Sequence, residues 1–148
     1  MINKTILLVE RDLQEAQKHL DFFRDHNFRN KVEVVHSKRE ALDYVFGTGR
    51  YFNAPFHEPP GLILVDLFLN QTPDVKLLKP LQMYLRIQDI PIIIVTSSDE
   101  QEKQITKQGL AGAIGFIRKP LDVTHFIEMI QHMGLQIQKN NKDLKEES

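Results

Sequence analysis

The strongest constraint on the fold is an alternation. Five short runs rich in Val, Ile and Leu, "TILLV" (5–9), "KVEVV" (31–35), "LILV" (62–65), "IIIV" (92–95) and "AIGFI" (113–117), are separated by longer segments with apolar residues at helical spacing. Strands separated by helices cannot form hairpins, so they pair in parallel with helices over both faces of the sheet. The third and fourth runs are apolar throughout, which predicts central strands buried on both sides. The 148 residues fit one domain of this α/β, doubly wound kind. At that size, folding buries roughly two-thirds of the surface that the unfolded chain exposes.

The helices carry start and stop signals. Asp12 with Glu15, and Ser37 with Glu40, have the spacing of a capping box, in which the cap oxygen and the acid each satisfy a free backbone N–H. Leu13, Ala16, Leu20 and Phe23 then predict the apolar face of the first helix. Ala41, Leu42, Val45 and Phe46 predict that of the second, which stops at Gly47. Pro80 lacks an N–H and clashes with a preceding turn, so the third helix is expected to start late, with Pro80 in its first turn, and to close at Pro91. Ser98 or Asp99 caps a fourth helix ending near Gly109. Phe126, Ile127, Ile130, Met133 and Ile137 form the stripe of a fifth. The domain is expected over residues 1–137, and the polar tail "QKNNKDLKEES" (138–148) is expected to fray. The longest loop, "GTGRYFNAPFHEPPG", holds three prolines.

Composition narrows the partners. A net charge of −1 provides no basic field for nucleic acid or an anionic membrane. Without cysteine there is no disulfide, thiolate nucleophile or Cys-based zinc site, which suits the cytoplasm. "ILLV" is too short for a signal peptide, and no stretch approaches the ~18 apolar residues that span a bilayer. A flavin binder of this topology needs a glycine- and hydroxyl-rich loop after the first strand, whereas the loop here is "ERDLQE". "GTG" at 47–49 follows a helix and lacks the third glycine of a dinucleotide fingerprint. The histidines His19, His26, His36, His57, His125 and His132 show no ligand spacing with a companion acid, so most are expected on the surface or in loops. An all-helical phosphotransfer domain is excluded by the Val- and Ile-rich runs.

Ligands bind an open parallel sheet outside the carboxyl ends of its strands, near the point where strand order reverses. The first run ends in Glu10, the third in Asp66, the fourth in Thr96 and Ser97, and the fifth in Ile117, Arg118, Lys119 and Pro120. Each alone has a structural explanation as turn former, cap or solvated charge. Together, two acids, a hydroxyl and a lysine are the parts for holding a phosphoryl group: a nucleophile, a metal ligand, a hydrogen-bond donor and a cation.

The motifs "ILLVERD", "LILVDLFL", "IIIVTSS" and "GFIRKPLD", in this order, resemble the receiver domain of bacterial two-component response regulators. The helix end "DYVFGTGRY" and its long loop are similar to the single-domain regulators associated with bacterial phytochromes. The resemblance covers about residues 3–135 and implies a flavodoxin-like receiver fold, strand order 2-1-3-4-5, with five helices. It further implies Asp66 as phosphoacceptor for a histidine kinase or phosphotransfer protein, Thr96 moving inward onto the phosphoryl oxygens, and Lys119 on the phosphate. Ser97 is small enough to leave access. Phe116 takes the position of a switching aromatic, and the Lys119–Pro120 bond is commonly cis in the family. A receiver of this kind is not an enzyme in its own right. It signals to a downstream protein target, through contacts or a homodimer on the fourth helix, fifth strand and fifth helix.

Arg11 departs from the family pattern, in which two consecutive acids end the first strand and help to hold Mg²⁺. The two family acids with the acceptor and the lysine sum to −2, whereas Glu10, Arg11, Asp66 and Lys119 sum to zero. Mg²⁺ requires near-octahedral oxygen ligands at about 2.0–2.1 Å, and a guanidinium offers only donors, so Arg11 weakens the ion's attraction. The ligands implied are Glu10, Asp66 and the backbone carbonyl of Phe68. Two arrangements are open. In one, Asp12 turns inward as substitute ligand and Arg11 points to solvent. In the other, Arg11 displaces Mg²⁺ and forks onto Asp66, an attraction of ~4 kcal/mol at ~4 Å and an effective dielectric of about 20, giving a phosphorylation-independent pseudo-receiver interaction module.

Overall fold

The computed structural model describes residues 5–53, 59–66, 68–69, 72–73, 90–107 and 114–133. In chain order they form β1 (Ile6–Val9), α1 (Leu13–Asp25), β2 (Val32–Val35), α2 (Lys38–Phe46), a 3₁₀ turn (Gly49–Tyr51), β3 (Leu62–Val65), β4 (Phe68–Leu69), β5 (Thr72–Pro73), β6 (Ile92–Thr96), α3 (Asp99–Thr106), β7 (Ile114–Arg118) and α4 (Val123–His132). Five strands make one sheet in the order β2-β1-β3-β6-β7, all paired in parallel. Counted within the sheet this is 2-1-3-4-5, the doubly wound order expected. The expected helix beginning at Pro80, the residues around Gly109, Ile137 and the tail lie outside the described residues. The antiparallel pair β4 and β5 was not expected, because two-residue strands are too short to carry a period.

Alternate residues of each strand face opposite ways, and two cores result. Leu7, Val9, Ile63, Val65, Ile92 and Ile94 pack with Ala41, Tyr44 and Val45 of α2 and Ile105 of α3. Ile6, Leu8, Leu62, Leu64, Ile93, Val95 and Ile117 pack on the other face with Phe22 and Phe23 of α1 and Phe126 and Ile130 of α4. There Phe126 meets Phe22, Phe23 and Phe28 edge-on, with ring centroids 5.6–5.7 Å apart.

The helix starts follow from side-chain caps. Asp12 Oδ1 accepts from the N–H groups of Gln14 and Glu15 at 2.8 and 3.0 Å. Ser37 Oγ accepts from Glu40 N–H at 3.1 Å, and Ser98, not Asp99, caps α3. The box at Asp12 is not closed by Glu15, because the Asp12 N–H donates instead to Glu10 Oε1 at 3.1 Å. Gly47 ends α2 at φ +66°, where a side chain is disfavoured. The helical faces differ from expectation in two places. Leu13 is 69% exposed: it sits in the first turn of α1, at the carboxyl edge, and His19 and Phe22 join Ala16 and Phe23 on the buried face. Phe46 is exposed while Tyr44 takes the buried place on α2. α3 ends at Thr106, one residue after its apolar anchor Ile105, with Lys107 as C-cap.

The two kinds of site differ in stability. Phe126→Ala, which empties the aromatic cluster, is expected to cost about 3–5 kcal/mol in urea unfolding, whereas Leu13→Gln is expected to change stability by less than about 0.5 kcal/mol. A large loss for Leu13→Gln contradicts the burial pattern given above.

Candidate functional site

The register delivers the expected residues to one edge. Val9 pairs with Val65, so Glu10 and Asp66 leave neighbouring strands side by side. The ladder continues into them: Glu10 N–H donates to the Val35 carbonyl at 3.0 Å and Asp66 N–H to the Val9 carbonyl at 3.0 Å. Thr96 pairs with Arg118, and Lys119 N–H donates to the Thr96 carbonyl at 2.9 Å. Backbone hydrogen bonds therefore fix the starting point of each side chain. The Lys119–Pro120 peptide bond is cis.

Glu10 and Asp66 are 4% and 8% exposed. Lys119 Nζ pairs with Asp66 Oδ2 and reaches Glu15 Oε2 at 3.4 Å. Burial works against the Lys119 ammonium, but the hydrogen bond and charge of Asp66, with Glu15 and Glu10 behind it, more than offset this and raise its pKa above the ordinary lysine value. Glu10 is shifted upward by burial and by the charge of Asp66, against the lowering influence of His19 and the Asp12 N–H. Glu15 is shifted down, first by its hydrogen bond from Lys18 and, against burial, by Lys119.

Arg11 is exposed, as is Asp12, whose carboxylate is engaged in capping α1. Among the described residues, the histidines and acids close enough to share an ion are Glu10, His19 and Asp66, with one ligand atom of each within 4.8 Å of the others; Asp12 is outside this group. His19 corrects the expectation that the histidines have no companion acid. It is 3% exposed, and its Nε2 lies 3.8 Å from Glu10 Oε2. The signal was present at the sequence level, since His19 follows Ala16 by three and precedes Phe23 by four, on the buried face of α1. His36, from the end of β2, places Nδ1 3.0 Å from the Glu10 carbonyl oxygen, which accepts from it. Phe68 opens β4 opposite Pro73, two residues beyond Asp66.

Thr96 is fully buried, and its hydroxyl donates to Glu102 Oε2 on α3 at 3.2 Å. The same oxygen accepts from Arg118 Nε at 2.7 Å, and Arg118 also pairs with Asp99. Glu102 was not among the residues expected here. Ser97 is exposed and donates its N–H to Gln101 Oε1 at 2.7 Å. Phe116 on β7 is half-buried against the α2 and α3 face of the core. Between α1 and the start of α4 opens a cavity of about 350 Å³, lined by Glu15, Lys18, His19, Lys119 and Leu121 among others. No helix among the described residues is long and apolar enough to cross a membrane.

No protein-family model matches the chain, nor does any curated protein. Solved structures do. The chain is 30% identical to the bacteriophytochrome response regulator AtBRR, with a TM-score of 0.79 over 93% of this chain and 96% of that one. It is 28% identical to the bacteriophytochrome response regulator RtBRR, with a TM-score of 0.76 over 93% and 82%. The phosphorylated cyanobacterial phytochrome response regulator RcpA shares the fold at 21% identity and a TM-score of 0.66 over 92% and 99%. Fold and matches together define the class, a response-regulator receiver domain of two-component signalling. Within that class the chain belongs to the bacteriophytochrome response regulators.

The buried carboxylate at the end of β1 has a signature in stability. Because the folded-state pKa of Glu10 is raised above the ordinary glutamate value of 4.5, its contribution is complete below that value and is lost as pH rises through the folded-state value. In metal-free buffer Glu10→Gln should therefore gain thermal stability over the unsubstituted protein as pH goes from 4.5 toward 8. A difference that is constant with pH, or grows on acidification, contradicts this.

Proposed function

We propose that this chain is a cytoplasmic response regulator receiver that accepts a phosphoryl group on Asp66 from a histidine kinase or phosphotransfer protein. It then signals through protein contacts and turns over no diffusible substrate. The observation that carries the reading is the pairing of the partly exposed Lys119 with the buried Asp66 carboxylate, at the carboxyl ends of β3 and β7. A carboxylate oxygen of Asp66 attacks phosphorus, the P–N bond of the donor phosphohistidine breaks as the new P–O bond forms, and the released imidazole nitrogen takes up a proton. Lys119 balances the charge that the phosphoryl group brings. Glu10 and Asp66, with the Phe68 carbonyl, are the groups that would hold Mg²⁺, which neutralises phosphoryl oxygens when bound. The burial and anionic character of Glu10 and Asp66 suit a cation, and Asp12 keeps its role as cap.

The exposure of Arg11 and the position of Lys119 on Asp66 support this reading over one in which Arg11 occupies the acceptor. In this reading Thr96 moves from Glu102 to the phosphoryl oxygens, and Phe116 follows into the space vacated. Glu102 then acts as a latch that Thr96 must leave. The output surface is the one formed by α3, β7 and α4, on which a protein target or a second copy docks.

With a small phosphodonor and Mg²⁺, intact mass should rise by one phosphoryl group. The gain should vanish in Asp66→Ala and fall at least about tenfold in rate with Lys119→Met. No gain, or one that persists in Asp66→Ala, defeats the proposal. Glu102→Gln, which weakens the hold on Thr96, should favour the phosphorylated conformation and slow the loss of the phosphoryl group. Unchanged lifetime would remove Glu102 from the switch.

A further inference from the structure

We infer that Glu10, His19 and Asp66 form a mixed nitrogen and oxygen site for a divalent transition-metal ion, with α1 supplying the imidazole ligand. Two buried atoms carry this. His19 Nε2 and Glu10 Oε2 have no hydrogen-bond partner among the described residues, although each faces the other across 3.8 Å. That separation is too long for a hydrogen bond, but it is short enough for one ion to reach both atoms at about 2.0–2.2 Å. Leaving such groups unpaired in the interior is unfavourable, and an ion between them satisfies both. Asp66 completes a set in which every ligand atom is within 4.8 Å of the others.

The donor types set the preference. Imidazole suits Fe, Co, Ni and Zn, whereas Mg²⁺ favours oxygen ligands and retained water. Arg11 stands where the resemblance implies a second acid, so the third side-chain ligand comes from two turns into α1 instead. The same carboxylates then select a softer cation than an all-oxygen site does. The inference rests on the receiver reading in sharing Glu10 and Asp66 with it, and adds His19.

The 148-residue chain is titrated with Mn²⁺ and examined by pulsed electron paramagnetic resonance for modulation by a coordinated ¹⁴N nucleus. Co²⁺ and Mg²⁺ are titrated in parallel by calorimetry. The expected results are nitrogen modulation in the unsubstituted protein and in His36→Gln, its loss in His19→Leu, and Co²⁺ binding at least about tenfold tighter than Mg²⁺. His19→Leu should weaken Co²⁺ by about ten- to a hundredfold while moving Mg²⁺ by less than about threefold. Mn²⁺ bound without nitrogen modulation in the unsubstituted protein overturns the inference, whether or not the variant folds. So does modulation that survives His19→Leu. If such a protein still gains a phosphoryl group in Mg²⁺, the receiver reading stands and only the His19 ligand falls. Nitrogen-coupled Mn²⁺ in a protein that never gains phosphoryl mass supports the ligand and defeats the receiver reading.

Discussion

Parallel pairing of β1 with β3, with Val9 opposite Val65, places two carboxylates at one level of one edge, and both are nearly sealed from solvent. With ligand oxygens within 4.8 Å, two full charges repel by about 3 kcal/mol at an effective dielectric near 20. The surroundings answer that repulsion. Lys119, held by the backbone of β6, pairs with Asp66. The Asp12 N–H donates to Glu10, and the Glu10 proton affinity rises. A sheet core built only for packing has no need of this arrangement; the function proposed for Asp66 does.

Arg11 gains its meaning from the same edge. One side chain after the buried Glu10, the backbone has already turned toward α1, and the guanidinium is exposed. The charge that it adds lowers the negative potential at the mouth of the site while leaving the Asp66–Lys119 pair in place. Nearby, Thr96 is held by Glu102, and Glu102 by Arg118. The hydroxyl is thus tied to α3 by a hydrogen bond, the one that the proposed phosphoryl group on Asp66 would have to replace. The chemistry at β3 and the surface on α3 meet at that one bond.

Much of this was legible in the chain. The five strands declared themselves because both faces of a parallel sheet are covered, so "LILV" and "IIIV" contain no polar residue. Asp12, Ser37 and Ser98 marked helix starts because an oxygen there satisfies orphan N–H groups. Residues at strand ends were found because period and topology together locate the edge. Three things were not legible. Helical spacing put His19 on the buried face of α1, but its meeting with Glu10 and Asp66 comes only through the packing of α1 on the sheet, because those acids are distant in sequence. Leu13 looked like core because a helical stripe does not show how far the helix overhangs the strands. Glu102 carried no signal, since one acid on an exposed turn of a polar helix has many equivalents, and only the approach of Thr96 and Arg118 sets it apart.

Asp66 and Lys119 meet at the shared edge of the sheet, and the proposed chemistry depends on that meeting. A crystal structure grown with a divalent ion and a phosphoryl mimic examines that meeting directly. The predicted result is the mimic on the Asp66 carboxylate, with Lys119 Nζ within hydrogen-bond distance of it and the Thr96 hydroxyl turned away from Glu102. A mimic bound elsewhere, with Asp66 and Lys119 at separate places on the rim, would contradict it.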